Sequence, residues 1–125
     1  MLKKWIAACL LAGAAPALTP AWAQGAVCTE PAPPGPINGA TTMQQIVALR
    51  TQVVAFRDQS DVYQTCIASD LEAKTKAATP AAPLDPGVHQ VALAKVAASQ
   101  AAKEKAIAEL NALIKLYRAA HPRSK

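Results

Sequence analysis

The chain has 125 residues and a formal net charge of +5, with apolar residues at 52% but aromatic residues at only 4%. A chain this short has room for one small domain, and an apolar share made largely of alanine gives that domain a thin core. The charge excess is mild, which argues against the dense basic surface that nucleic acid requires.

The first 23 residues have the parts of a secretory signal peptide. Lys3 and Lys4 precede an apolar stretch from Trp5 to Leu18, Pro20 breaks it, and Ala21-Trp22-Ala23 forms a small-residue cleavage pattern. The expected mature chain begins at Gln24, and loss of Lys3 and Lys4 takes its formal charge from +5 to +3. Ile6-Ala7-Ala8-Cys9 has the look of a lipobox but lies too early, with almost no apolar run before it. The apolar run is also shorter than the roughly 20 residues of a spanning helix, so no stable membrane insertion is expected after cleavage. Export predicts a periplasmic or secreted location where thiols oxidise. There Cys28 and Cys66, the cysteines left after cleavage, are expected to form a disulfide rather than a metal or catalytic pair.

From residue 24 to 40 the chain is rich in proline. The run Glu30-Pro-Ala-Pro-Pro-Gly-Pro-Ile-Asn-Gly39 forbids helix and favours an extended path, which Asn38-Gly39 then turns. Thr41 or Thr42 can cap a following helix, with Gln44 or Gln45 completing a capping box. Apolar residues recur in steps of three and four at Ile46, Leu49, Val53, Phe56, Tyr63 and Ile67, with Ser60 as a polar interruption. This spacing predicts a helix over about 41–77.

The segment Thr79-Pro-Ala-Ala-Pro-Leu-Asp-Pro-Gly87 breaks the pattern, with Asp85 as N-cap and Pro86 in the first turn of a second helix. The expected stripe of that helix, over about 86–120, is Leu93, Val96, Gln100, Lys103, Ile107, Leu110, Ile114 and Tyr117. His121-Pro122 closes it.

Two long helices joined by a short proline-bearing loop predict an all-α fold: an antiparallel hairpin over 41–121. A bend centred on Ala81-Ala82 makes facing residue numbers sum to about 163, so that Ser60 meets Lys103 and Tyr63 meets Gln100. The polar interruptions of the two stripes then coincide, an arrangement that fixes register at some cost in stability. The disulfide fits the same picture. The helix from Thr41 to Cys66 is about 37 Å long, and the extended stretch from Thr41 back to Cys28 is about 40 Å. The proline-rich segment can therefore run back along the first helix as a strap pinned near its middle. Closing that loop adds about 4 kcal/mol by the chain-entropy argument.

Residues suited to catalysis are sparse. Asp85 and His89 share the spacing of a metal pair, but Asp85 serves better as a cap and no third ligand is near. Ser60 and Ser69 have no neighbouring histidine, and His121 reads as a helix-end cation or an exposed residue. Asp58, Asp61, Asp70 and Glu72 lean on Arg57, Lys74 and Lys76 as a solvated face. Lys103 is expected to pack its stem in the seam and carry its ammonium to the edge, rather than to pair with Tyr63. No enzyme activity, cofactor, metal or nucleic-acid partner is expected. The basic end, Lys115, Arg118, Arg123 and Lys125, is a possible anion-binding group for envelope polymer or lipid, although basic side chains also suit a helix C-terminus. Apolar positions left over at Val47, Val54, Leu71 and Leu113 either lie under the strap or pair two hairpins into a four-helix bundle.

Cys28, the prolines from Pro31 to Pro36, Asn38-Gly39, Met43, Phe56, Tyr63 and Cys66 form a layout that covers most of the mature chain. It resembles that of small exported helical proteins of Gram-negative bacteria with a single cysteine pair. The resemblance implies the fold and the location and carries no activity with it. The expected function is that of a non-catalytic structural or protein-interaction protein of the cell envelope, acting on itself as a homo-oligomer or on an envelope protein partner.

Overall fold

The computed structural model describes residues 27–40 and 42–123. The expected signal peptide, Thr41 as an alternative cap, and Lys125 lie outside the described residues.

Two helices make up the fold, α1 from Met43 to Ala77 and α2 from Pro86 to Ala120, packed against each other as a hairpin. Each runs 35 residues, about 52 Å at the rise of an α-helix. Sequence sets both ends of each. At the start of α1, Thr42 accepts from the Gln45 backbone N–H while the Gln45 side chain accepts from the Thr42 N–H, a complete capping box. Just before it, Gly39 holds φ at +97°, a left-handed conformation that a side chain would strain. Ala78 ends α1 in an extended conformation two residues before Pro80.

Thr79 and Ala82 then exchange backbone hydrogen bonds, each 3.0 Å, around Pro80 and Ala81. Proline suits the second position of such a turn because its φ is already fixed there. Asp85 caps α2 by accepting from the Gly87 N–H at 2.8 Å, with Pro86 in the first turn. At the far end His121 terminates α2, its ring stacked on Tyr117 at a centroid distance of 4.2 Å.

The register follows from the paired side chains. Gln64 reaches Ser99 and Gln100, and Asp61 reaches Lys103, so facing residue numbers sum to 163 or 164. A bend near Ala81 and Ala82 predicts that value.

The seam of α1 is the expected one, with Ile46, Val53, Phe56, Ser60, Tyr63 and Ile67 buried. The seam of α2 differs from the expected stripe. Ser99, Ala106 and Leu110 are buried, whereas Leu93 is 55% exposed and Gln100, Ile107 and Ile114 are half-buried along one flank. The helix is turned toward the strap, because Ile37 of the strap joins Val53, Phe56, Ala106 and Leu110 in one core cluster. The small side chain at 106 makes room for that third layer, and Ser99 is buried farther along, where the Gln64 amide reaches it. An apolar stripe chosen by side-chain size passes over them.

Candidate functional site

Cys28 and Cys66 form a disulfide with their Cα atoms 5.7 Å apart. Cys66 lies one position to the side of the buried seam residue Ile67, so the bond pins the strap on one flank of α1 rather than over the seam. From there the strap runs along the groove between the helices. Near the disulfide, Val27, Thr29 and Pro31 share a cleft with Gln59, Val62 and Tyr63, and farther along Pro36 to Asn38 share one with Lys105, Glu109, Leu113 and Leu116. Ile37 is the anchor, 6% exposed in an otherwise exposed neighbourhood. Its burial contributes about 1.5–3 kcal/mol.

Among the described residues, no strap lies in the opposite groove. Met43, Val47 and Arg50 of α1 face Ile114, Tyr117 and Arg118 of α2 across a shallow depression of about 140 Å³. Met43 and Val47 are each more than half exposed and Val54 is 38% exposed, so an apolar stripe stays in water on this side. Of the four leftover apolar positions, Val47 and Val54 thus remain open, while Leu113 packs against the core and Leu71 is half-buried.

Between the two ends lies a polar layer. Ser60 is fully buried, and its hydroxyl donates to the Phe56 carbonyl at 2.7 Å, which satisfies the group within its own helix. The Gln64 amide donates to the Ser99 hydroxyl at 3.2 Å and to the Gln100 side-chain oxygen at 3.4 Å, and Gln100 in turn donates to Glu104 at 2.7 Å. Lys103 lays its stem in the seam, with its side chain 15% exposed, and brings its ammonium 2.5 Å from the Asp61 carboxylate at the edge. Lys103 thus pairs with Asp61 and not with Tyr63. No buried side-chain nitrogen or oxygen among the described residues lacks a hydrogen bond, so the layer carries no unpaired polar group for a ligand to meet.

Several other titratable residues are similarly engaged. Arg57 pairs with Asp58 at 2.8 Å, Lys74 with Asp70 at 2.7 Å, and Lys76 with Glu72 at 2.5 Å, along with Lys105 and Glu109. Asp85 is the N-cap, and His89 is exposed. Three or more metal-ligating side chains come together nowhere among the described residues. Of the expected anion-binding group, Lys115, Arg118 and Arg123 are exposed and have no ion-pair partner among the described residues. Arg118 is the member that also borders the open groove. Ile37 and the small pair Ser99 and Ala106 are the positions that sequence reasoning passed over.

No helix among the described residues is long and apolar enough to cross a membrane. A disulfide linking two distant parts of the chain fits a compartment in which thiols oxidise. Compared with known proteins, the chain matches no family model, no curated protein and no solved structure.

Proposed function

We propose that this chain is a non-catalytic exported protein of the cell envelope, periplasmic or secreted, that acts by holding other protein surfaces against the open flank of its hairpin. The observation that carries this reading is the unequal covering of the two grooves. The strap runs in one and buries Ile37 there, with Val62 and Leu116 still exposed at its edges, while the other has no strap among the described residues and keeps Met43, Val47 and Val54 in water. Apolar area left exposed along a rigid helical face is the usual ground for protein contact. Of the acids on the helices and at their caps, all but Glu104 are engaged as caps or ion pairs among the described residues, which suits scaffold better than reaction chemistry.

The test is a photoreactive residue placed at Val54 in cells, with one at Leu116 as the control. Leu116 is also exposed but sits on the strap side. The reading predicts protein adducts from position 54 well above those from 116. Adducts absent at 54, or equal at both, contradict it.

A second reading is favoured by one observation, the exposed cations Lys115, Arg118 and Arg123 with no acidic partner among the described residues. Under it, this end binds anionic polymer or lipid. Such binding falls steeply from low to moderate ionic strength, and an affinity that ignores salt rejects it.

A further inference from the structure

We infer that the end of the hairpin formed by the start of α1 and the close of α2 docks on a bilayer surface that bears anionic lipids. Arg50 and Arg118 meet headgroup phosphates there, and Met43 and Val47 enter among the acyl chains. The inference rests on the second reading, anion binding at this end, and names the source of the anion.

Charge is unevenly spread along the hairpin. Residues 43–53 and 111–121, which face each other where numbers sum to 164 as for Gln64 with Gln100 and Asp61 with Lys103, contain no aspartate or glutamate. The same stretch holds Arg50, Lys115 and Arg118, all exposed and without an ion-pair partner among the described residues. Helix ends explain only part of this. Arg118 lies in the last turn of α2, where a cation offsets the helix dipole. Arg50 lies two turns into α1, past the reach of a dipole whose near pole is in any case positive. It is a cation that the fold does not use.

Arg50 and Arg118 also converge on one place. The register puts Arg118 level with Ile46, one turn from Arg50 and so about 6 Å away along the axis. Both border the depression whose apolar lining includes Met43, Val47, Ile114 and Tyr117. Met43 and Val47 are 54% and 56% exposed. Cations set beside open apolar side chains match a ligand with an anionic head and an apolar body.

Size decides between an enclosed molecule and a surface. The depression holds about 140 Å³, well below the roughly 300–1,000 Å³ of a pocket that encloses a small ligand. A bilayer needs no such pocket. Its phosphates meet the guanidinium forks while exposed apolar side chains enter the boundary between headgroups and chains. A soluble anionic polymer uses the cations and leaves Met43 and Val47 in water. Val54, one turn beyond Arg50, lies outside this depression and is left to protein contact.

Co-sedimentation of the oxidised, purified chain with vesicles tests the inference, using phosphatidylcholine alone and phosphatidylcholine mixed with phosphatidylglycerol, with soluble polyphosphate as the polymer arm. Binding to the mixed vesicles is expected, falling with salt, with little to phosphatidylcholine alone. Arg50→Gln is expected to weaken it about fivefold. Met43→Gln with Val47→Gln is expected to weaken it about tenfold on vesicles and to leave any polyphosphate binding unchanged. Leu116→Gln, also exposed but on the strap side, is expected to change neither. In the wild type, a spin label on the lipid chains is expected to broaden the Met43 methyl signal and spare those of Leu116, a readout that needs no variant. Mixed vesicles left unbound overturn the inference, as does binding that ignores Arg50 or the Met43 and Val47 pair, or broadening at Leu116 in place of Met43. Polyphosphate bound where vesicles are not sinks the inference and spares the second reading, whereas binding of neither sinks both.

Discussion

Lys103 of α2 meets Asp61 of α1 at 2.5 Å, and among the described residues this is the one ion pair that joins the two helices. Its lysine is mostly covered and its aspartate is 56% exposed, so water screens the pair and its worth is small. A double-mutant cycle with Asp61→Asn and Lys103→Met is expected to give a coupling of about 0.5–1 kcal/mol, falling in high salt. Methionine keeps the packing of the lysine stem, so urea unfolding of that single variant is expected to show a loss below about 1 kcal/mol.

Ile37 is the strap residue that reaches the core cluster. Its replacement by alanine removes buried methyl and methylene groups from a segment otherwise tied to α1 by the Cys28–Cys66 bond. Ile37→Ala is expected to cost about 2–4 kcal/mol in chemical unfolding. A loss of a few tenths, as at an exposed site, would mean that the strap does not pack as described.

Removing the crosslink should act mainly on the unfolded chain. Cys28 and Cys66 are 38 residues apart, for which the chain-entropy argument gives about 4 kcal/mol. In a domain of this size that corresponds to a fall in Tm of about 15 °C or more. Cys28→Ser with Cys66→Ser is the variant to melt, since it leaves no free thiol among the described residues.

Ser60 is the most buried side chain of the described residues, yet it is one of the smallest. At a seam position, leucine is ordinarily welcome. Here the space is filled on all sides, and Ser60→Leu is expected to destabilise by about 1–3 kcal/mol through overpacking. Ser60→Ala is expected to be nearly neutral, because the hydroxyl bonds only the carbonyl of its own helix. Thermal melts of the two variants side by side separate a demand for small size from a demand for polarity.

Much of this fold is legible in the sequence, because its signals are local. Thr42 with Gln45, Asp85 with Pro86, and Asn38-Gly39 are short-range stop and start signals, and each sits where it is expected. The register was legible as well, since a short loop fixes which residues can face each other. The rotation of α2 was not. It depends on the third layer, where Ile37 fills space beside Ala106, and nothing local to α2 records that a strap residue lies there. The same blindness hid the open flank. Val47 and Leu113 look alike in sequence, and only the side taken by the strap makes one exposed and the other packed.

The seating of the strap in one groove underlies the whole account, and nuclear Overhauser contacts from the Ile37 methyl groups in the oxidised protein test it most directly. Cross-peaks to the Phe56 ring and to methyl groups of Val53, Ala106 or Leu110 are expected. Ile37 methyl signals at random-coil positions with no such cross-peaks, in a chain whose two helices are intact, would contradict it.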